Sequence, residues 1–156
     1  MILKERFFIK IIDTIYKMDH LAILSKEGKL LGKILSGEKT IESRWYKSKK
    51  TPYQNIAAGE VVYFKESGAP VTARARVATV LFFDKLDEDK MRTIFQEYGV
   101  GLGVQISYME KMKDKKFCTL VFLEKVERIT PFQVDKKGFG LMAAWITVDK
   151  IEKIKV

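Results

Sequence analysis

From residue 20 onward, short stretches with period-2 apolar alternation are interleaved with helix-spaced stretches in no regular strand–helix–strand order, and this irregularity most limits the fold. Strand patterns are read at residues 20–24, 39–46, 60–66, 71–83, 117–128 and 143–148. Helical spacing is read at 26–36, 87–98 and 105–112. The order predicts an α+β fold: a mixed or mainly antiparallel β-barrel with two or three flanking helices.

Local signals place several boundaries. Ser67-Gly68-Ala69-Pro70 predicts a hairpin turn between the third and fourth strands. Asp87 is a candidate cap for a helix whose apolar stripe is Met91, Ile94 and Phe95, with Gly99 as its stop. The run Gly99-Val100-Gly101-Leu102-Gly103 follows a helix and lacks a Gly-Lys-Ser/Thr ending, so it is not read as a phosphate-binding loop. Met91, Met109 and Met112 read as core fillers, and Trp145 as a core residue. The long, lysine-rich stretch 47–59, with Pro52, is a loop able to border a site.

The densest chemistry lies at Gly37-Glu38-Lys39-Thr40-Ile41-Glu42-Ser43-Arg44, which reads G-x-K-x-x-E-x-R and is followed by Trp45 and Tyr46. Leu30, Leu31, Ile34 and Leu35 precede it at helical spacing, and Gly37 sits where that helix should stop. Strand alternation then puts Thr40, Glu42 and Arg44 on one face and Ile41, Ser43 and Trp45 on the other. Two roles follow: a structural ion pair that fixes the register of a barrel strand, or a polar binding site.

This arrangement, with a Gly-acid turn at Gly59-Glu60 opening the next strand, resembles the ASCH domain, a small β-barrel related in fold to the PUA RNA-binding domains. The resemblance runs from about His20 to the C-terminus and implies RNA or a nucleotide-like ligand in a pocket lined by Lys39, Glu42, Arg44, Trp45 and Tyr46. In such a pocket Trp45 or Tyr46 stacks on an unpaired base, Arg44 or Lys39 contacts phosphate, and Glu42 accepts from a base amino group. Some ASCH proteins are amidohydrolases of acetylated cytidine that use a Lys, a Thr three positions later and a distant Glu; others have been described as ribonucleases. Lys39 matches that Lys, but Glu42 stands in the Thr position, and Glu97 is the candidate for the distant acid. A catalytic reading would assign Lys39 and Glu42, with Glu42 as general base. Transcription-coactivator members imply a third possibility, an interaction module.

The remaining composition narrows the chemistry. The net charge of +9 over 156 residues favours polyanionic partners. With one cysteine, Cys118, and one histidine, His20, neither a disulfide framework, a cysteine zinc site nor a Ser-His-Asp triad is expected, and no cofactor or metal is assigned. His20 reads as a satisfied residue at the start of the first barrel strand. A single asparagine, Asn55, among abundant Lys and Glu suggests a heat-adapted source. Residues 1–17 carry Phe7, Phe8, Ile9, Ile11, Ile12 and Ile15, interrupted by Lys10 and Asp13. They read as an accessory helix or extension, neither a membrane span nor a signal peptide, ahead of a single domain over 18–156 in a cytoplasmic protein. The ligand and oligomeric state are left open.

Overall fold

The computed structural model describes residues 17–156, so the helix expected over 1–17 lies almost wholly outside the described residues. One six-stranded sheet carries the fold: β1 (Asp19–Leu24), β2 (Ile41–Tyr46), β3 (Val61–Glu66), β4 (Val71–Phe83), β5 (Phe117–Phe132) and β6 (Trp145–Val148), in the order β2-β5-β4-β3-β1-β6. The pairing of β1 with β3 is parallel and the others are antiparallel, as the mixed barrel reading expected. The sheet curls into a half-barrel flanked by α1 (Leu30–Ser36), α2 (Glu88–Leu102) and α3 (Ser107–Met112).

The turn at 67–70 joins β3 to β4 as its Gly-Pro punctuation requires, and Asp87 caps α2 by accepting from Lys90 N at 2.8 Å. Other boundaries move. Residues 27–29 form a separate 3-10 turn before α1, because Gly28 and Lys29 have positive φ and break the helix expected over 26–36. Helix α2 continues through Gly99 to Leu102 and ends at Gly103, whose φ of 65° supplies the left-handed cap. Gly99 therefore costs helix propensity without stopping the helix. Helix α3 starts at Ser107, two residues later than the pattern expected.

Strand β2 starts at Ile41: Lys39 Nζ and Thr40 N are used to finish α2, while Thr40 O still accepts from Leu123 N of β5 at 2.9 Å. Strand β5 extends to Phe132 and includes Pro131, and β6 is confined to residues 145–148. The ladder with β4 continues past the expected end at residue 128, with register shifts that accommodate the long strand. No helix among the described residues is long and apolar enough to cross a membrane.

Burial is divided among three clusters. Phe64, Val62, Ala73, Val77 and Val121 fill the concave side with Leu31 and Ile34 of α1, and Trp145 of β6 joins them. On the other side, Met91, Ile94 and Phe95 of α2 pack on Ile41, Trp45 and Leu120, with Met109 and Met112 partly buried at the margin. The third cluster joins β1, β3 and β6 to a C-terminal 3-10 turn, Ile151–Ile154.

Cys118 lies in the second cluster, and burial pushes its thiol well above the ordinary range. Native protein is therefore expected to react with iodoacetamide far more slowly than denatured protein at neutral pH. Equal rates in the two states would contradict this burial.

Candidate functional site

The Gly37 stop is present: with φ of 84°, Gly37 ends α1 and turns the chain toward β2. The chain then meets the C-terminus of α2. Three carbonyls there receive donors from outside the helix: Gly101 O from Thr40 N at 2.9 Å, Leu102 O from Lys39 Nζ at 2.6 Å, and Gly103 O from Lys33 Nζ at 3.1 Å. Helix α2 has no basic residue in its own last turn, so Lys33 and Lys39 supply the cations that its macrodipole favours. Two glycines permit this approach. A Cβ on Gly101 would lie 2.7 Å from Ile41 Cδ1, and one on Gly103 would lie 2.9 Å from Lys39 Cβ. The glycine run is thus a close-packing surface for the Lys39 segment.

Lys39 is 2% exposed, and its Nζ also donates to Ile41 O at 2.7 Å. Burial lowers its pKa; the Glu42 carboxylate opposes the shift, and Arg44 and Lys33 reinforce it. Its ammonium does not line the cleft described below. Lys39 lies near Glu42 and Arg44, but its hydrogen bonds belong to the scaffold.

Glu42 and Arg44 share the face of β2 that alternation required. Glu42 Oε1 lies 3.5 Å from Arg44 Nε, with both side chains largely removed from solvent. Arg44 reaches across to the other end of the sheet order: Nη1 donates to Ala144 O, just before β6, at 3.1 Å, and Nη2 donates to Ile23 O of β1 at 3.2 Å. Its guanidinium lies 5.1 Å from the ring centroid of Trp145. β2 and β6 are the two edge strands, so Arg44 fastens one edge of the half-barrel to the other.

This closure rests on a buried polar network. Trp145 Nε1 can only donate, so its 3.1 Å contact makes His20 Nδ1 an acceptor and places the proton of neutral His20 on Nε2. Nε2 then donates to Glu60 Oε1 at 3.0 Å, while Thr147 Oγ1 lies 3.0 Å from Nδ1. Burial alone would raise the Glu60 pKa, but hydrogen bonds from His20, Met18 N and Ala57 N outweigh it and hold the carboxyl below its ordinary value. His20 is thus the satisfied residue that its position suggested.

Glu42, Arg44 and Tyr46 open onto a cleft of about 630 Å³ between β2, the segment entering α1, and α3. Lys33, Lys111 and Lys115 join Arg44 as its cations, against Glu27 and Glu42. Glu42 Oε2 is buried without a hydrogen-bond partner, as are Arg44 Nε and Thr119 Oγ1, which sits opposite Arg44 in the strand register. Trp45 borders the cleft but is only 6% exposed; its ring stacks on Phe95 at 5.5 Å and its Nε1 donates to Ser43 Oγ at 2.9 Å. Tyr46 is half-buried, with Lys50 Nζ 5.9 Å from its ring centroid. Glu97 is exposed on α2 and lines a different depression, away from this cleft.

Sequence reasoning missed Tyr108, Lys111 and Lys115 as cleft residues. Tyr108, Lys111 and Met112 recur at i, i+3 and i+4, a spacing that marks one face of α3, and Lys115 lies just beyond its end. Burial, followed by the Glu42 carboxylate, raises the Tyr108 pKa.

No family model matches the sequence, and no curated protein matches it. Solved structures do. The ASCH protein of Zymomonas mobilis superposes with a TM-score of 0.65 at 17% identity, covering 86% of this chain and 90% of that one. Two point variants of the same protein, one at a serine and one at a tyrosine, give TM-scores of 0.65 and 0.64, each at 17% identity over 86% of this chain and over 91% and 93% of theirs. Identity this low speaks to architecture, and together with the curled mixed sheet it establishes that this chain has the ASCH fold, a PUA-like half-barrel.

Proposed function

We propose that this chain is an ASCH-family binding module whose cleft takes a nucleotide-like unit of RNA. The observation that carries the reading is Glu42 Oε2, a buried carboxylate oxygen without a partner in the wall of a cationic cleft. Leaving such an acceptor unpaired costs about 1–3 kcal/mol, and a ligand N–H that pairs with it recovers that cost. A nucleobase amino or imino group supplies the donor, and Lys33, Lys111 and Lys115 supply charge for the adjoining phosphate. A cleft of about 630 Å³ falls within the usual range for small-ligand sites.

The engagement of Lys39 Nζ with two carbonyls favours binding over lysine-assisted hydrolysis, because a catalytic amine must reach the substrate. Likewise, the Trp45 ring is occupied by Phe95, which leaves Tyr46 and Tyr108 as the partly exposed tyrosines of the cleft.

The test is calorimetric titration of the four nucleosides and their 5′-monophosphates, plus acetylated cytidine, into wild type and Glu42→Gln. Exchanging the carboxylate for an amide is expected to weaken the preferred ligand by roughly 5- to 150-fold, the equivalent of about 1–3 kcal/mol. Undiminished affinity would remove Glu42 from recognition. Release of acetate during the titration would establish turnover.

A further inference from the structure

The tertiary structure brings two lysine-rich segments together. Residues 47–50 and 110–116 hold seven lysines against Glu110 and Asp114, so they carry +5 of the chain's net +9. They are distant in sequence, yet Lys116 N donates to Tyr46 O at 2.9 Å and Lys47 Nζ lies 3.1 Å from Asp114 Oδ2. Lys113 pairs with Glu110, and Lys115 lies 3.9 Å from Asp114. Among the described residues, Lys49, Lys50, Lys111 and Lys116 form no ion pair with a carboxylate.

The strip is continuous with the cleft. Tyr46, Lys111 and Lys115 line the cleft, and Lys50 Nζ stands over the Tyr46 ring. Farther along, Tyr53 N donates to Lys50 O at 2.8 Å, which folds the loop back. The Tyr53 ring then meets Phe117 edge-on at 5.1 Å, and both rings remain partly exposed. Exposed cations interleaved with half-exposed aromatic rings suit a single-stranded polyanion that carries stackable groups. A free nucleotide would leave most of these charges uncompensated.

We propose that residues 46–50 and 110–116 form one strip that carries the backbone phosphates of a single-stranded RNA as it leaves the cleft past Tyr46. The physiological ligand is then a strand of several nucleotides and not a free nucleotide. This inference rests on the cleft reading for the terminal nucleotide but locates a second contact surface outside it. Each phosphate neutralised on a single strand contributes about 0.7 to the slope of log affinity against log salt.

The experiment uses a fluorescently labelled ten-nucleotide single-stranded RNA and a free nucleoside monophosphate. Both are titrated into wild type and a variant combining Lys47→Gln, Lys49→Gln, Lys113→Gln and Lys116→Gln, none of which lines the cleft. The expected loss of slope is up to ~2.8, so between about 50 and 200 mM salt the wild-type ten-mer affinity falls up to ~50-fold more than the variant's. Monophosphate affinity should be the same in both proteins.

Unchanged ten-mer slopes overturn the strip, as does wild-type protein that binds monophosphate as tightly as the ten-mer. Strip-dependent binding to phosphatidylserine vesicles without RNA binding assigns the surface to a membrane and also overturns the proposal. The two readings fail separately. Ten-mer affinity untouched by Glu42→Gln but still losing slope in the four-lysine variant sinks the cleft and keeps the strip; the reverse pattern sinks only the strip.

Discussion

Arg44→Ala is expected to lower the unfolding free energy by about 3–5 kcal/mol and the melting temperature by roughly 10 °C. The loss has three physical sources. Glu42 keeps its buried carboxylate without the guanidinium beside it, the carbonyls of Ile23 and Ala144 lose the guanidinium as a donor although Ala144 O keeps its bond from Ile23 N, and the face of Trp145 loses its cation. Lysine at this position should recover little, because one ammonium cannot span both carbonyls and stack on the indole as a planar fork does. The double variant Glu42→Gln/Arg44→Met should be more stable than Arg44→Ala, since it leaves no uncompensated buried charge. Thermal denaturation followed by circular dichroism checks the series. A melting temperature for Arg44→Ala within about 2 °C of wild type would mean that the half-barrel closes without this staple.

The second large effect is at Lys39. Lys39→Met fills a similar volume but withdraws both hydrogen bonds of Nζ, leaving Leu102 O at the end of α2 and Ile41 O on β2 without that donor. At about 1–3 kcal/mol for each buried group left unpaired, the expected destabilisation is about 2–4 kcal/mol. Its pH dependence has a defined sign. Burial holds the native-state pKa of Lys39 below the unfolded value, so over that interval the unfolded chain binds more protons and stability rises with pH. The stability advantage of wild type over Lys39→Met should therefore increase as pH rises through the lowered native pKa, and level off above the ordinary lysine value of about 10.4. Urea unfolding of both proteins between neutral and alkaline pH measures this difference. An advantage that shrinks over that interval would assign Lys39 a raised pKa and a different environment.

These two expectations change the weight placed on the G-x-K-x-x-E-x-R segment. As a sequence pattern it is compatible with a ligand clamp at Lys39 and Arg44. In the structure both cations are engaged by backbone carbonyls, and Glu42 Oε2, on the acid between them, is left without a hydrogen-bond partner, as is Arg44 Nε. The motif thus builds the site largely by holding it together: Lys39 seats the end of α2, and Arg44 closes the sheet. In the binding role proposed here, recognition falls to Glu42 and to residues outside the motif.

The local signals in the chain were sufficient for much of the scaffold. Period-2 alternation put Glu42 and Arg44 on one face of β2, Gly37 stopped α1, Asp87 capped α2, and the absence of regular strand–helix alternation pointed to a mixed, curled sheet. Each depends on contacts between residues a few positions apart, which backbone sterics and short-range hydrogen bonds largely decide. Three features were decided only by tertiary structure. Gly99 did not end α2, because the helix could run on until Gly103 met Lys39. Arg44 became a closure staple, because curling brings the edge strands β2 and β6 together. The lysines of 47–50 and 110–116 became neighbours through the pairing of β2 with β5. A sequence specifies which groups exist and how they repeat along one element. Which carbonyl takes a buried ammonium, and which distant charges share a surface, follows from long-range packing that no local pattern encodes.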